Sequence, residues 1–368
     1  MAIETQSQFE RKINILEQIK ENQHLDFEKV GNWIVAGSGN FEKTQTDGRY
    51  RDNCNTFREA SACKDHLYKS LTLHYNHCNK LDCESCFIQG SSTRARELND
   101  RLQKSKEKAL REGVKVGKIK HIALSPTKSL MEEVLTDYSS YLKFRKDVVI
   151  NTILEESGLF AGILIFDLWS KQCKTCGKKE RECSCEDKDL ERVISPHFHY
   201  IGYGYVLHAN DFRENFKDWV YVNFGSRDDA YHTIFYALTH CAMWRKENGK
   251  LKPAYGFTGF LRPKHLEPIH TVTKYIPHTC KVCKKPTRRI KRGLKRVGKF
   301  PYAIHVHLSE DELELGSEIR YKALVRSYRI CHVEKLRDVV EINRVRYEKY
   351  KRKKKKSEKS NDGGNGYG

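Results

Sequence analysis

Two histidines separated by one apolar residue form the most chemically suggestive motif of the chain. They are His197 and His199, in the segment Ser195-Pro-His-Phe-His-Tyr-Ile-Gly-Tyr-Gly204. If this segment is a strand, alternation sends both imidazoles to one face and Phe198 to the other. Two neutral imidazoles side by side can bind a divalent metal, while the phenylalanine anchors the strand in a core. The plainer interpretation is a pair of surface histidines on a half-buried strand.

A helix predicted downstream carries a candidate nucleophile. The run Asp229–Met243 has the apolar spacing of a helix with a buried face, and Tyr236 and His240 lie about 40° apart on it. Tyr231 lies about 140° from Tyr236, so the two tyrosines cannot point at one site. A metal and one tyrosine hydroxyl are the minimum equipment for attack on a phosphodiester. Because a phenol has a pKa of about 10, the site must supply positive charge or a base. Taken alone, Tyr236 also fits a core aromatic residue with its hydroxyl at the surface.

Many of the cysteines are grouped at spacings typical of metal ligands. Four thiols within 13 residues suit tetrahedral zinc: Cys173, Cys176, Cys183 and Cys185. A second candidate zinc site combines three cysteines with a histidine: Cys78, Cys83, Cys86 and His74, with His77 as the alternative fourth ligand. The third group, Cys280 and Cys283, is half a zinc site, and its missing ligands are left open among His270, Cys331 and His332.

The remaining cysteines and a run of cations have simpler interpretations. Cys54 and Cys63 either join a larger metal site or stay free, and Cys241 is predicted to be a small buried apolar residue. Cations that follow the Cys-x2-Cys pair are candidates for contacts with DNA phosphates: Arg288, Arg289, Arg292, Lys295 and Arg296.

Composition and charge favour a polyanionic partner. The 368 residues include 68 Lys and Arg against 48 Asp and Glu, a formal net charge of +20. The positive electrostatic potential that this charge produces makes nucleic acid the default partner. The alternative is a solvated surface that binds nothing. No apolar run reaches the roughly 18 residues of a membrane span, and no signal-peptide pattern opens the sequence. We therefore expect a cytoplasmic protein without membrane contact, whose cysteines are ligands or core residues rather than disulfides.

Strands and helices follow one another without regular βαβ alternation, which predicts an α+β fold with a largely antiparallel central sheet flanked by helices. Strands are predicted at 119–124 and 159–166, and a basic helix at 94–112 that ends at Gly113. The predicted organisation has five parts: an N-terminal segment of unknown role (1–50), a Cys/His cluster with the basic helix (51–113), a core (114–260) with a zinc-binding insertion (173–185), a basic C-terminal region (261–345) and a disordered basic tail (346–368).

Four stretches, taken in order, resemble the HUH endonuclease replication initiators of archaeal plasmids and viruses, the Rep proteins of rolling-circle replication. Ile122-Ala-Leu-Ser-Pro126 is similar to the first motif, and Ser195–Gly204 to the metal-binding motif. Thr233–Cys241 resembles the tyrosine motif of the archaeal branch, with its Tyr-x-x-x-His pattern. Cys78–Cys86, followed by the basic helix, resembles that branch's cysteine segment. Two positions depart from the pattern: Thr239 replaces a lysine of other branches, and Asp167-Leu-Trp169 stands where a His-Pro-like stretch is often found.

The resemblance implies an HUH-type fold and an enzyme that nicks and joins single-stranded or hairpin DNA at an origin. Tyr236 would keep the 5′ phosphate, and the freed 3′ hydroxyl would prime synthesis. His197 and His199 would hold Mn²⁺ or Mg²⁺, and His240 would be either a third metal ligand or the group that assists the phenol. The zinc would be structural, and the partners would be the DNA, a host helicase and a host polymerase. With one tyrosine, closure of the strand needs a second protomer in a homodimer or a second event.

Other assignments stay open. A non-catalytic, zinc-stabilised regulator that binds nucleic acid would share the charge and the cysteines, and a single-strand transposase of the HUH superfamily would share the chemistry, although such transposases are usually smaller. A second His-x-His, His305 and His307, has the same spacing, with Tyr321 and Tyr328 beyond it. It lacks the first-motif strand and the Gly-Tyr-Gly that follows His199. No Gly-x-x-x-x-Gly-Lys-Ser/Thr sequence occurs, so no fused helicase is predicted.

Overall fold

The structure, a computed structural model, describes residues 32–35, 57–77, 86–127, 130–131, 134–178, 183–186, 189–207, 209–248, 251–291 and 314–362. In chain order the strands are β1 (Trp33–Val35), β2 (Phe57–Ala62), β3 (Thr72–Tyr75), β4 (Ile119–Pro126), β5 (Leu159–Cys173), β6 (Leu190–Gly204), β7 (Trp219–Arg227), β8 (Ala242–Arg245), β9 (Leu251–Pro253), β10 (Tyr255–Gly259), β11 (Leu266–Pro277), β12 (Arg288–Ile290), β13 (Leu315–Glu318) and β14 (Arg320–Ile330). The helices are α1 (Leu67–Ser70), α2 (Phe87–Arg111), α3 (Tyr138–Phe144, continued by a π-helix over Arg145–Leu154), α4 (Ala209–Asn215), α5 (Tyr231–Thr239) and α6 (Val333–Asp362).

Several predicted features lie outside the described residues. They are most of the 1–50 segment, the end of the tail at 363–368, and these residues: Cys54, Cys78, Cys83, Arg292, Lys295, Arg296, His305 and His307.

A five-stranded antiparallel sheet, in the order β10-β5-β6-β4-β7, forms the centre of the fold. The predicted α+β class with an antiparallel sheet between helices is confirmed, as are the predicted strands within β4 and β5 and the basic helix within α2. α2 ends where predicted, because Gly113 adopts φ +74°, a left-handed conformation that ends helices and that glycine takes without strain.

Alternation along β5 and β6 divides their side chains between two cores. Phe166 and Phe198 pack on one face with Tyr141 of α3, the two phenylalanine rings lying 4.8 Å apart. Ile165 and Ile201 pack on the other face, under α2 and α5. Burial of each such side chain contributes about 1.5–3 kcal/mol to stability. A shift of the strand register by one residue would move these side chains to the opposite face of the sheet. The register of β5 against β6 is therefore strongly specified.

A smaller sheet joins parts of the chain that are far apart in sequence. Its order is β13-β12-β2-β3, and β12 pairs with β2 through Arg288 opposite Ala62 and Arg289 opposite Ser61. β2 and β12, which the sequence analysis assigned to separate parts at 51–113 and 261–345, therefore lie in one unit. β11 and β14 form a two-stranded ribbon that leads from the core to this unit. Pairing between strands separated by about 200 residues leaves no local sequence signal.

α6 continues through residues predicted to be disordered. The helix runs to Asp362 and so includes residues 346–362, for which the sequence analysis predicted a disordered tail. Its first turns bury Leu336 and Val340 in the core beneath α2. Lysine, arginine and glutamate are strong helix formers, and the prediction weighed their lack of apolar surface but not their propensity. Ion pairs one turn apart add to this, with Arg344 Nη2 2.6 Å from Glu341 Oε1.

In the described part of the chain, no helix combines the length and the apolar character that crossing a membrane requires.

Candidate active site and metal centres

The register of β5 and β6 places a carboxylate beside the two histidines. Asp167 lies directly opposite His197, and Ile165 lies opposite His199, so the three polar side chains share one face of the sheet. One ligand atom from each lies within 4.8 Å of the other two, and Asp167 Oδ2 is 3.6 Å from His197 Nε2. Two imidazole nitrogens and one carboxylate oxygen form a set of three ligand atoms that can bind a divalent metal ion. Such a set leaves coordination positions open for other ligands.

A local irregularity points the Asp167 carboxylate at the histidines. The pairing of β5 with β6 shifts between Asp167 and Trp169, as at a β-bulge, a feature that commonly re-aims side chains. The backbone N–H of Trp169 donates to Asp167 Oδ1 at 3.0 Å, which leaves Oδ2 facing His197. Asp167 is only 5% exposed. Because burial of an ionised carboxylate is costly without a positive partner, this position favours a bound cation.

Hydrogen bonds set the orientation of both imidazoles. His197 Nδ1 lies 2.7 Å from the Ser195 carbonyl oxygen, to which it donates, so the lone pair of His197 stands on Nε2, facing Asp167. His199 Nδ1 lies 3.1 Å from His121 Nε2. Donation from His199 Nδ1 to His121 leaves the lone pair on His199 Nε2, which is the arrangement that metal-bound histidines use.

His121 was missed by the sequence analysis. It lies on β4, where Ala123 is opposite His199, so alternation places His121 on the same face as the metal-binding pair. It is buried, and its ring stacks on Phe224 with centroids 4.6 Å apart. The available signal was its position within the predicted strand 119–124, one residue before the first-motif stretch.

The helix α5 lies on the face of the sheet that carries the metal-binding group. Ile234 and Leu238 of α5 belong to the same core cluster as Ile165 and Ile201. Directly after the helix, Cys241 forms an isolated antiparallel bridge with Asp167. The chain leaving α5 therefore pairs with the backbone of the residue that supplies the carboxylate of the metal-binding group.

Tyr236 projects from this helix towards the surface. It is 37% exposed, and its ring centroid lies 4.6 Å from that of His240, which agrees with the predicted shared face. His240 Nδ1 lies 3.0 Å from the Tyr236 carbonyl oxygen and 3.2 Å from Thr239 Oγ1. The carboxylate of Asp167, rather than His240, completes the three-ligand group, so of the two roles left open for His240 the one next to the phenol fits better. Cys241 is fully buried as predicted, and burial raises the pKa of its thiol to about 12.

The four cysteines of the predicted insertion come together. One sulfur from each of Cys173, Cys176, Cys183 and Cys185 lies within 4.8 Å of the others, a set compatible with zinc. Cys176 Sγ and Cys183 Sγ are 3.6 Å apart. The pKa of the Cys173 thiol is lowered to about 6, chiefly by a hydrogen bond from the backbone N–H of Cys176. Burial opposes this shift, and the Cys183 thiol adds to it. The thiolate that this favours is the form that binds metals.

The half site at Cys280 and Cys283 is completed by residues other than those predicted. Cys63 and His66 supply the remaining ligand atoms, all four within 4.8 Å of one another. The predicted partners His270, Cys331 and His332 are therefore wrong. Cys63 was considered only for another site, and His66 was missed, although Cys63-x2-His66 has the spacing of a ligand pair.

The remaining predicted zinc site is only partly described, because Cys78 and Cys83 lie outside the described residues. Cys86 Sγ lies 3.7 Å from His77 Nδ1. The Nε2 of His74 instead lies 2.8 Å from Ser61 Oγ. Of the two histidines considered, His77 is thus the one in contact with Cys86.

Two of the five cations proposed for DNA contacts can be placed. Arg288 and Arg289 both lie on β12 and are exposed. Arg289 Nε is 2.6 Å from Glu59 Oε2, so Arg289 already forms an ion pair within the protein. Arg288 has its side chain at the surface of the small sheet, where a phosphate can reach it.

Comparisons of the chain with protein-family models, with curated proteins and with solved structures find no match. The fold and the sites therefore define the class on their own: an α+β protein whose described residues include one His/His/Asp group and two cysteine-rich groups that can each hold a metal ion.

Proposed function

We propose that the protein is a metal-dependent DNA endonuclease and strand transferase of the HUH type, which nicks and rejoins single-stranded DNA at an origin to initiate rolling-circle replication. The observation that carries the proposal is the Asp167, His197 and His199 group on the sheet face covered by α5, with Tyr236 exposed on that helix. A metal-ligand set and a surface tyrosine on the helix that covers the same sheet face are the two groups that attack on a phosphodiester requires.

The chemistry assigns separate tasks to the residues. A divalent cation such as Mn²⁺ or Mg²⁺ held by the three ligands would polarise the phosphoryl oxygens and orient the scissile phosphate. Tyr236 Oη attacks the phosphorus while its proton passes to His240, whose ring lies against the phenol. The bond from phosphorus to the 3′ oxygen breaks, the 3′ oxygen takes a proton from solvent, and the 5′ phosphate stays on the tyrosine. Attack by a 3′ hydroxyl reverses these steps and rejoins the strand.

The charge of the chain supports DNA as the substrate. The net charge of +20 favours a polyanion, and phosphate contacts make such binding fall steeply with added salt. In this proposal a host helicase and a host polymerase act on the nicked DNA, and strand closure uses the partner in a homodimer or a second event at Tyr236. The four-cysteine group of Cys173, Cys176, Cys183 and Cys185 would hold zinc with a structural role.

A covalent adduct tests the proposal. Single-stranded and hairpin oligonucleotides labelled at the 3′ end, which stays with the protein after cleavage, are incubated with the protein and Mn²⁺, and the products are separated on a denaturing gel. We expect a labelled band at the mass of protein plus DNA that is lost in Tyr236→Phe and strongly reduced in Asp167→Asn. Tyr231→Phe is the matched control, because Tyr231 lies on the same helix with its hydroxyl 2.8 Å from Ser92 Oγ of α2. Its adduct should equal that of the wild type.

The outcomes separate the alternatives. A mobility shift on a native gel without any denaturation-resistant band in Mn²⁺ or Mg²⁺ would favour a non-catalytic regulator. An adduct that persists in Tyr236→Phe would exclude this tyrosine as the nucleophile. Adducts formed only with the two ends of a mobile DNA element, followed by joining of those ends, would favour a single-strand transposase.

A further inference from the structure

We propose that Cys63, His66, Cys280 and Cys283 bind one structural zinc ion that joins two distant parts of the chain into a single unit. Cys63 Sγ lies 3.5 Å from Cys283 Sγ and 4.0 Å from His66 Nδ1. With zinc–sulfur bonds of about 2.3 Å, tetrahedral geometry separates two thiolates by about 3.8 Å. The observed distances are close to this value, and three thiols with one imidazole are a common ligand set for structural zinc.

The loop around Cys280 has the same backbone conformation as the loop of the four-cysteine group. The Cys280 N–H donates to the Lys285 carbonyl at 2.8 Å, and the Cys173 N–H donates to the Lys178 carbonyl at 2.8 Å. A second hydrogen bond also matches, from the Lys284 N–H to the Cys280 carbonyl at 2.9 Å and from the Gly177 N–H to the Cys173 carbonyl at 2.8 Å. Two loops separated by about 100 residues thus present a Cys-x2-Cys pair in one geometry.

Backbone strain at Lys284 supports a ligand-binding role for this loop. Lys284 has φ +63°, and it is the one non-glycine residue with positive φ in the described part of the chain. The equivalent position in the other loop is Gly177, with φ +68°. A lysine rarely adopts this conformation, and such strain persists where the surroundings enforce it, often at binding sites.

The unit around this site has too small an apolar core to be stable by itself. In the described residues its core cluster contains three buried side chains, Ala60, Ala62 and Ile290, with four partly buried leucines around them. The ion pair between Lys285 Nζ and Asp65 Oδ2 across the same junction, at 2.6 Å, is solvent-exposed, and exposed pairs stabilise little. Small units of this kind usually depend on a metal or a disulfide. The free energy of zinc binding would therefore contribute directly to the folding free energy of the unit.

The metal would fix more than the two loops. Two β2–β12 residue pairs lie within the unit, and the exposed cations Arg288 and Lys291 stand on or directly after β12. Zinc would hold these cations in a constant position relative to the ribbon of β11 and β14. The inference does not depend on the proposed function, since it concerns metal content and local stability.

Metal analysis of the full-length protein, purified under reducing conditions, tests the site. Zinc per chain is measured by mass spectrometry of the metal after gel filtration. We expect Cys63→Ser and Cys283→Ser each to lose one zinc relative to wild type, and Cys176→Ser to lose a different one, so that Cys176→Ser with Cys283→Ser loses two. Cys331→Ser is the control and should lose none, since Cys331 lies outside every metal group of the described residues.

Two further measurements keep the test decisive if a serine variant folds poorly. His66→Cys retains four ligands and should keep the zinc, whereas His66→Ala should lose it. Amide hydrogen exchange of His66→Ala should show lost protection in β2 and β12 but retained protection in β5 and β6. Unchanged zinc in Cys63→Ser, Cys283→Ser and His66→Ala would overturn the proposal. A Cys63–Cys283 disulfide in the reduced wild-type preparation, found by peptide mapping, would overturn it as well.

Discussion

The hydrogen bond between His121 and His199 gives a quantitative prediction for metal affinity. His121→Phe keeps an aromatic ring in the buried position that stacks on Phe224, but it removes the hydrogen-bond partner of His199 Nδ1, which is the acceptor when His199 carries its proton on Nδ1. The metal-free imidazole can move its proton to Nε2, whereas the metal-bound imidazole must keep it on Nδ1. The cost of losing this hydrogen bond therefore falls mainly on the metal-bound state.

The expected loss of Mn²⁺ affinity follows from the cost of losing the hydrogen bond between His199 and His121. A buried donor left without a partner costs about 1–3 kcal/mol, and 1.4 kcal/mol corresponds to about a tenfold change in affinity. We therefore expect the affinity of His121→Phe for Mn²⁺ to fall by about 10- to 100-fold, the range typical of lost second partners of metal-bound histidines. His121 is 8% exposed, so water cannot easily replace the lost acceptor.

Isothermal titration of the zinc-loaded protein with Mn²⁺ measures this effect. His121→Gln, whose amide oxygen can accept the hydrogen bond, should recover part of the affinity. His232→Phe is the control, because His232 is exposed on α5 and should leave Mn²⁺ binding unchanged. If His121→Phe binds Mn²⁺ as tightly as the wild type while Asp167→Asn binds it weakly, the assigned role of His121 is wrong. If neither variant changes the affinity, the metal does not bind at this group.

Three further predictions concern stability. Gly162→Ala should lower stability by about 1–3 kcal/mol in thermal denaturation, because the new Cβ would lie 2.5 Å from the Tyr200 ring, and an unchanged melting temperature would contradict the tight packing. Burial raises the pKa of Tyr141 and Tyr200 above the usual range, so stability should be complete below about pH 10 and fall as the pH rises beyond it, since the unfolded phenols ionise first. Absorbance of the phenolates of these two residues should then appear together with unfolding. If it appeared while the protein was still folded, the raised pKa of these tyrosines would be contradicted. Lys284→Gly should stabilise the zinc-loaded protein by up to about 1 kcal/mol, because it removes left-handed strain of about 1–2 kcal/mol and adds about 0.5–1 kcal/mol of unfolded-state entropy; a lower melting temperature would show that the lysine side chain itself is needed.

The sequence predicted those features that depend on local patterns. The apolar run at 159–166 identified β5, and the alternation around Phe198 placed both histidines on one face. The spacing of the cysteines between 173 and 185 identified the ligands of the four-cysteine group. In each case the residues are close together in the sequence, so their geometry follows from the strand or loop that contains them.

The features that the sequence did not predict depend on contacts between distant segments. Asp167 was noted only as a departure from a family pattern, because its place opposite His197 follows from the β5–β6 register and a local bulge. Cys63 and His66 meet Cys280 and Cys283 only because β2 pairs with β12. The end of α6 was missed for a different reason, since helix propensity outweighed the lack of apolar surface.

The two halves of the proposed active site differ in how deeply they are buried. Phe198, between the two histidines, packs against Phe166 and lies 6.4 Å from the parallel ring of Tyr141, so the aromatic core fixes the strand that presents the imidazoles. Tyr236 instead stands on the exposed side of a nine-residue helix whose C-terminal end is tied to the sheet by the bridge between Cys241 and Asp167. A fixed metal site can position a phosphate before reaction, while an exposed nucleophile can accommodate a strand that stays attached afterwards. This division suits an enzyme that must hold its own covalent product until a second strand arrives.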